Sequence, residues 1–160
     1  MVQNMCMILE RMIFNMKVKE CMIKQTVCVK PETNIYEVAK LMNDNHIGCL
    51  PICDTNGDVS GIVTDRDLVL RAIACCKDTK TTPISDIMTT KVIKTSPDTD
   101  LDEVTHLMME NQIRRLPVID DNKIVGMITL ADFAKEHCMC KEKIGETLKG
   151  ICCCGTKNQE

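Results

Sequence analysis

One segment of this chain is written twice, and that limits the folds open to it more than any other feature. Displaced by 66 positions, Met22, Pro31, Thr33, Glu37, Val38, Leu41, Met42, Asn45, Ile47, Leu50, Pro51, Asp54 and Asn56 fall on identical residues. After one extra residue, Gly57, the displacement becomes 65, and Gly61, Thr64 and Asp67 fall on Gly126, Thr129 and Asp132. A tandem unit of this length implies two supersecondary modules that bury a face together. Apolar recurrence alone would describe a repeated core. The polar Thr and Asp recur at fixed spacing as well, which points to a polar site made twice.

Each copy reads as β-α-β-β-α. In the first, Thr26–Val29 is short and β-branched, with Pro31 ending it. Thr33-Asn34 supplies a helix cap, and Val38, Leu41 and Met42 at helical spacing predict a helix over 35–45. Ile47–Cys53 and Val59–Thr64 are strands around a turn at Asp54–Asp58, where Asn-Gly suits positive φ. Asp65–Ala74 closes the unit as a helix. The second copy predicts a strand at Val92–Lys94, a helix over Leu101–Asn111, a hairpin from Arg115–Ile119 and Ile124–Thr129, and a helix over Leu130–His137. Helical spacing returns at Lys141–Ile151.

The domain plan is therefore an extension at 1–15, repeat 1 at 16–76, a polar linker at 77–83, repeat 2 at 84–137 and a Cys-rich tail at 138–160. Met16-Lys17-Val18-Lys19 reads as an alternative start, so no function is built on residues 1–15. The fold class is α/β (α+β), with two repeats packed about a pseudo-two-fold axis.

Bulk properties exclude several functions. The net charge is −3, with no Trp, one Tyr and two Phe; nucleic-acid surfaces normally carry a basic stripe and stacking rings. No segment is long and apolar enough for a membrane span, and the apolar stretch Met5–Met16, broken by Glu10-Arg11, lacks the form of a secretory signal. The 12 cysteines include the runs Cys75-Cys76 and Cys152-Cys153-Cys154. Adjacent runs suit separate structural bridges poorly, so the reading is free thiols in a reducing cytoplasm.

Thr64 and Thr129 stand where a strand gives way to a helix, beside unpaired N–H groups that attract anions. Asp67 and Asp132 follow three residues later, and a carboxylate there is an acceptor suited to a vicinal diol. The same pair also reads as a capping box that binds nothing. Repetition, with a glycine three residues before each Thr, favours the ligand.

The two β-α-β-β-α units, Leu50-Pro51-Ile52 and Leu116-Pro117-Val118, and both Gly-x-x-Thr-x-x-Asp segments together resemble a tandem CBS-domain protein, or Bateman module, of the stand-alone bacterial type. The resemblance covers residues 16–137. It implies clefts between paired repeats that bind adenosine-containing ligands: AMP, ADP, ATP or S-adenosylmethionine. Asp67 and Asp132 would hold ribose hydroxyls, Thr64 and Thr129 would lie by ribose or α-phosphate, and Ile62 and Met127 would pack on adenine. Arg115 matches a position that contacts phosphate. Repeat 1 has Gly48-Cys49 where repeat 2 has Arg114-Arg115, so the Asp132 site is expected to be the better one, with Arg66 the alternative cation at the other.

The resemblance further implies a homodimer and a protein target that reads the ligand. No catalytic role is expected, since no nucleophile–base pair is visible, and no cofactor beyond the regulatory nucleotide is required. The alternative is a thiol-based redox or metal sensor using Cys138, Cys140, Cys152, Cys153 and Cys154, though their spacing lacks the paired Cys-x-x-Cys of a structural zinc site. His46, His106 and His137 read as helix-end or surface residues, and the methionines as core in a chain short of aromatics.

Overall fold

The computed structural model describes residues 16–135 and 139–152. The proposed extension at 1–15, the helix end at 136–137 and the tail beyond 152 lie outside them. Chain order gives α1 (Val18–Cys21), α2 (Ile35–Asp44), β1 (Cys49–Cys53), β2 (Val59–Thr64) and α3 (Asp65–Asp67), which runs on as a π-helical stretch over Leu68–Ile73. A 3₁₀ turn at Ile84–Asp86 precedes α4 (Leu101–Asn111), β3 (Arg115–Asp120), β4 (Lys123–Thr129), α5 (Leu130–Lys135) and α6 (Lys141–Cys152). The strands form two separate antiparallel hairpins, β1–β2 and β3–β4.

Two compact units result, and they do not follow chain order. Residues 26–92 gather with 121–124, whereas 16–25 join 93–120 and the described residues from 125 onward. Residues 16–25, which the sequence assigns to repeat 1, therefore pack with repeat 2 instead. Lys17 and Lys19 fasten it there through ion pairs to Asp100 at 2.8 Å and Asp98 at 2.6 Å.

In the repeat-1 unit the core is Val29, Ile35, Val38, Met42, Leu50, Ile52, Val63, Leu68, Ala72, Ile84 and Ile87. All five residues of β1 are buried, while β2 alternates, with Gly61 and Val63 inward. Helix α2 starts where Asn34 caps it by accepting from the Glu37 N–H at 2.9 Å. The expected strand at Thr26–Val29 shrinks to one parallel bridge, Val29–Ile52. Val29 donates to the Pro51 carbonyl at 3.2 Å and accepts from the Cys53 N–H at 2.9 Å. Pro31 follows two residues later with no N–H to extend the ladder. Repeat 2 does the same through Thr95–Val118, ahead of Pro97.

The hairpin turns explain the change in repeat spacing. Asp54 Oδ1 accepts from the N–H groups of Asn56 and Asp58 at 2.8 and 2.9 Å, and Gly57 takes φ +83°. In repeat 2, Asp121 and Asn122 both have positive φ, 45° and 64°, as a two-residue type I′ turn requires. That turn does without the residue that Gly57 adds.

The helix expected over Asp65–Ala74 is present but changes character at Leu68, where i→i+5 bonds such as Ala74 N–H to Val69 carbonyl, 2.9 Å, take over. Leu68 and Ala72 stay buried through this wider turn. The repeat-2 core centres on Phe133, Leu116, Val118, Ile128, Val104 and Met108, joined by Val18 and Cys21 of the N-terminal segment and Ile151 of α6. Helix α6 packs along α4: a Cβ on Gly150 would meet Met109 Sδ at 2.6 Å. Among the described residues no helix is long and apolar enough to cross a membrane.

Candidate functional site

Both Thr/Asp pairs form the same local structure, each within its own unit. Thr64 ends β2 in extended conformation, φ −119° and ψ 162°, so its N–H and hydroxyl face the first helical turn. Both donate to Asp67 Oδ2, at 2.9 and 2.7 Å. The Asp67 N–H returns a bond of 3.3 Å to Thr64 Oγ1. In repeat 2 the Thr129 N–H and hydroxyl donate to Asp132 Oδ2 at 2.8 and 2.7 Å. The Thr-to-carboxylate bonds are thus present in both copies and consume one carboxylate oxygen, while the full capping box is seen in repeat 1.

The other oxygen separates them. Asp132 is 4% exposed, and its Oδ1 has no hydrogen-bond or ion-pair partner among the described residues. Asp67 Oδ1 has Arg71 Nε at 3.4 Å. An acceptor held by its neighbour and left with open lone pairs is equipped to receive O–H donors.

Ile62 and Met127, two residues before each Thr, are half-buried. Each exchanges backbone bonds with a crossing segment: Ile62 with Thr89 at 3.0 and 2.9 Å, Met127 with Ile23 at 3.0 and 2.8 Å. Those crossings account for the glycines. A Cβ on Gly61 would meet Met88 Sδ at 2.4 Å, and one on Gly126 would meet the Ile23 carbonyl oxygen at 2.7 Å. The glycines admit a neighbouring strand, so their recurrence is a packing signal. Met22 and Met88, which begin the sequence repeat, are the residues lying over them. That pairing is the feature the sequence reading missed, although Met22 and Met88 had marked it.

Arg115 opens β3 and is half-buried, with no ion-pair partner among the described residues. It holds the position that Cys49 holds in repeat 1, where Cys49 lies opposite Thr64. Arg114 is exposed, and its carbonyl accepts the Leu130 N–H at 3.0 Å, as Gly48 accepts from Asp65 at 3.3 Å. Arg66 is exposed.

The cysteines divide by environment. Cys21 is disulfide-bonded, which corrects the expectation of free thiols throughout. Burial, and then contact with Cys53, push the Cys28 thiol up to about 12. The unfolded thiol ionises near 9.0, so this group favours the fold below that pH and the contribution is lost as pH climbs toward 12. Cys75, Cys76, Cys140 and Cys152 are exposed. Alkylation with iodoacetamide at pH 8 should label these four and spare the half-buried Cys28 and the buried Cys53, as read by peptide mass spectrometry; early labelling of Cys28 would contradict a thiol this reluctant to ionise. Among the described residues no three His, Cys, Asp or Glu side chains gather as a metal site; Cys138, Cys153 and Cys154 lie outside them.

The CBS domain family matches the chain twice, over residues 18–73 and 84–137. The chain belongs to the CBS-domain family and carries the domain as a pair. It is 37% identical over 134 residues to CBS domain-containing protein YhcV of Bacillus subtilis, covering 84% of this chain and 94% of that one. It is similar to the CBS domain pair of protein MJ0100, solved in complex with 5′-methylthioadenosine and S-adenosyl-L-methionine. There the TM-score is 0.69 and the identity 32%, over 76% of this chain and 95% of the other. It is also similar to Hypoxic Response Protein I, solved with two coordinated zinc ions, at TM-score 0.70 and 29% identity over 75% and 98% of the two chains.

Proposed function

We propose that this CBS pair is a regulatory module that binds adenosine-containing nucleotides and performs no chemistry of its own. The observation that carries the proposal is the buried Asp132 carboxylate, with Oδ2 fixed by Thr129 and Oδ1 unpartnered among the described residues. In this reading Asp132 accepts the ribose hydroxyls, Thr129 lies by the ribose or α-phosphate, Met127 packs on adenine and Arg115 meets a phosphate. Arginine suits that last task because its planar donors match phosphate oxygens. Asp67, Thr64 and Ile62 make the second, weaker site. The adenosine-derived ligands of the MJ0100 pair support the ligand class. The module acts in the cytoplasm as a homodimer, and the ligand changes the packing that a protein target reads, through unequal affinity for two arrangements.

Thermal unfolding of the protein with AMP, ADP, ATP, NAD and S-adenosylmethionine tests the class. Adenosine compounds should raise Tm with the logarithm of concentration over Kd once Kd is exceeded, and guanosine and cytidine counterparts should not. A flat response to all adenosine compounds would leave the Thr/Asp pairs as helix caps. The zinc ions of Hypoxic Response Protein I favour a second reading, a metal sensor on the same fold. Stoichiometric zinc in protein purified without a tag would support that one.

A further inference from the structure

Arg71 lies one helical turn beyond Asp67 and serves more than one partner. Its Nε stands 3.4 Å from Asp67 Oδ1. Its NH1 donates to the Ile87 carbonyl at 2.9 Å and to Thr89 Oγ1 at 3.0 Å. Ile87 is 2% exposed, and Thr89 is the residue bridged to Ile62. One guanidinium therefore spans the carboxylate and the segment crossing β2.

A carboxylate oxygen offers about two lone-pair positions. Asp67 and Asp132 each spend Oδ2 on a Thr N–H and hydroxyl. A vicinal diol brings two further O–H donors, and among the described residues nothing else bonds to Asp132 Oδ1. At Asp67 the same oxygen is already flanked by a cation. The residue four beyond Asp132 is Glu136, outside the described residues and an acid, so its side chain supplies no such cation.

Resting on the nucleotide reading above, we propose that Arg71 gates the repeat-1 site against vicinal diols. It occupies the approach to Asp67 Oδ1 and is pinned there by Ile87 and Thr89, so a ribose gains both hydroxyl bonds only by displacing it. A sugar with a single hydroxyl has no need to. The two sites of the pair then differ in specificity: Asp132 selects ribose over 2′-deoxyribose, and Asp67 scarcely distinguishes them.

Calorimetric titration of adenosine and 2′-deoxyadenosine, which carry no phosphate, tests this in the full chain bearing Asp132→Ala. Adding Arg71→Met should tighten adenosine by about three- to tenfold, the scale of a partly exposed ion pair plus a regained hydrogen bond. Binding of 2′-deoxyadenosine should not change. Arg71→Gln keeps a donor for the Ile87 carbonyl but loses the charge, and should give the same selective gain if Arg71→Met folds poorly. Thr89→Val removes one anchor and leaves the Asp67 pair, so it should not tighten adenosine; a purely structural Arg71 would make Thr89→Val and Arg71→Met behave alike. Unchanged or weaker adenosine binding, or equal gains for both nucleosides, would overturn the gate. Adenosine binding to the unaltered chain alongside such a result leaves the nucleotide reading standing, whereas no binding to the unaltered chain or to either Arg71 variant defeats both.

Discussion

Gly126→Ala should destabilise the protein by about 3 kcal/mol, while Gly61→Ala should cost under about 1 kcal/mol, although both alter the same repeat position. The difference lies in what each new methyl group meets. At Gly61 the nearest atoms are Met88 Sδ at 2.4 Å and Cγ at 3.0 Å, and the backbone contact, the Thr89 carbonyl oxygen, is farther off at 3.3 Å and need give by only a few tenths of an ångström. A thioether side chain has several rotatable bonds and can swing away. Removing glycine also narrows the unfolded ensemble, which offsets part of the strain. At Gly126 the nearest atom is the Ile23 carbonyl oxygen at 2.7 Å, with Met22 Sδ at 2.9 Å. That carbonyl accepts the Met127 N–H at 3.0 Å, and the Ile23 N–H donates back at 2.8 Å, so the backbone cannot retreat without breaking the bridge. Residues 16–25 would be pushed off the repeat-2 unit. For a chain of this size the loss corresponds to a Tm drop of about 6–12 °C, against about 3 °C or less for Gly61→Ala. Equal drops would show that the crossing segment is not rigidly seated on β4.

Much of this architecture was legible in the sequence because its signals were local. Val38, Leu41 and Met42 at helical spacing, and Leu101 to Asn111 likewise, became helices α2 and α4. In the turn read at Asp54–Asp58, Gly57 took the positive φ that its type favours. The strands expected at Thr26–Val29 and Val92–Lys94 did not form, since whether a β-branched run finds a full partner is a tertiary matter. Here only Val29 and Thr95 pair before a proline intervenes. The π-helical stretch over Leu68–Ile73 was hidden for the same reason. Recurrence named Thr64, Asp67, Thr129 and Asp132 correctly as equivalent pairs. It could not separate the glycines, which serve packing, from the polar residues beside them. The Asp67–Arg71 pair, four residues apart on one helix, was open to sequence reading and went unread; the bonds from Arg71 to Ile87 and Thr89 were not, because they depend on where residues 84–92 lie.

Asp132→Ala should abolish most of the stabilisation given by the best adenosine compound, and Asp67→Ala should spare most of it. At a ligand concentration of 100 times Kd the unaltered protein gains about 2.7 kcal/mol, or a Tm rise of about 5–11 °C. Losing two charge-assisted hydrogen bonds to a ribose weakens binding by about a hundredfold. The same ligand concentration then equals Kd, and the gain falls to about 0.4 kcal/mol, a shift under about 2 °C. Asp132→Ala also removes the acceptor for the Thr129 N–H and hydroxyl, so the ligand-free variant melts earlier by the cost of a cap, about 1 kcal/mol. The comparison must therefore be between shifts, with and without ligand, in each variant. Asp67→Ala loses an equivalent cap and serves as the control for that effect. Its site already has Arg71 against Oδ1 and Cys49 in the place of Arg115, so it contributes little of the ligand-induced rise. Shifts reduced equally in both variants would mean two equivalent sites and would refute the ranking. A full shift retained in Asp132→Ala would remove this carboxylate from the binding site altogether.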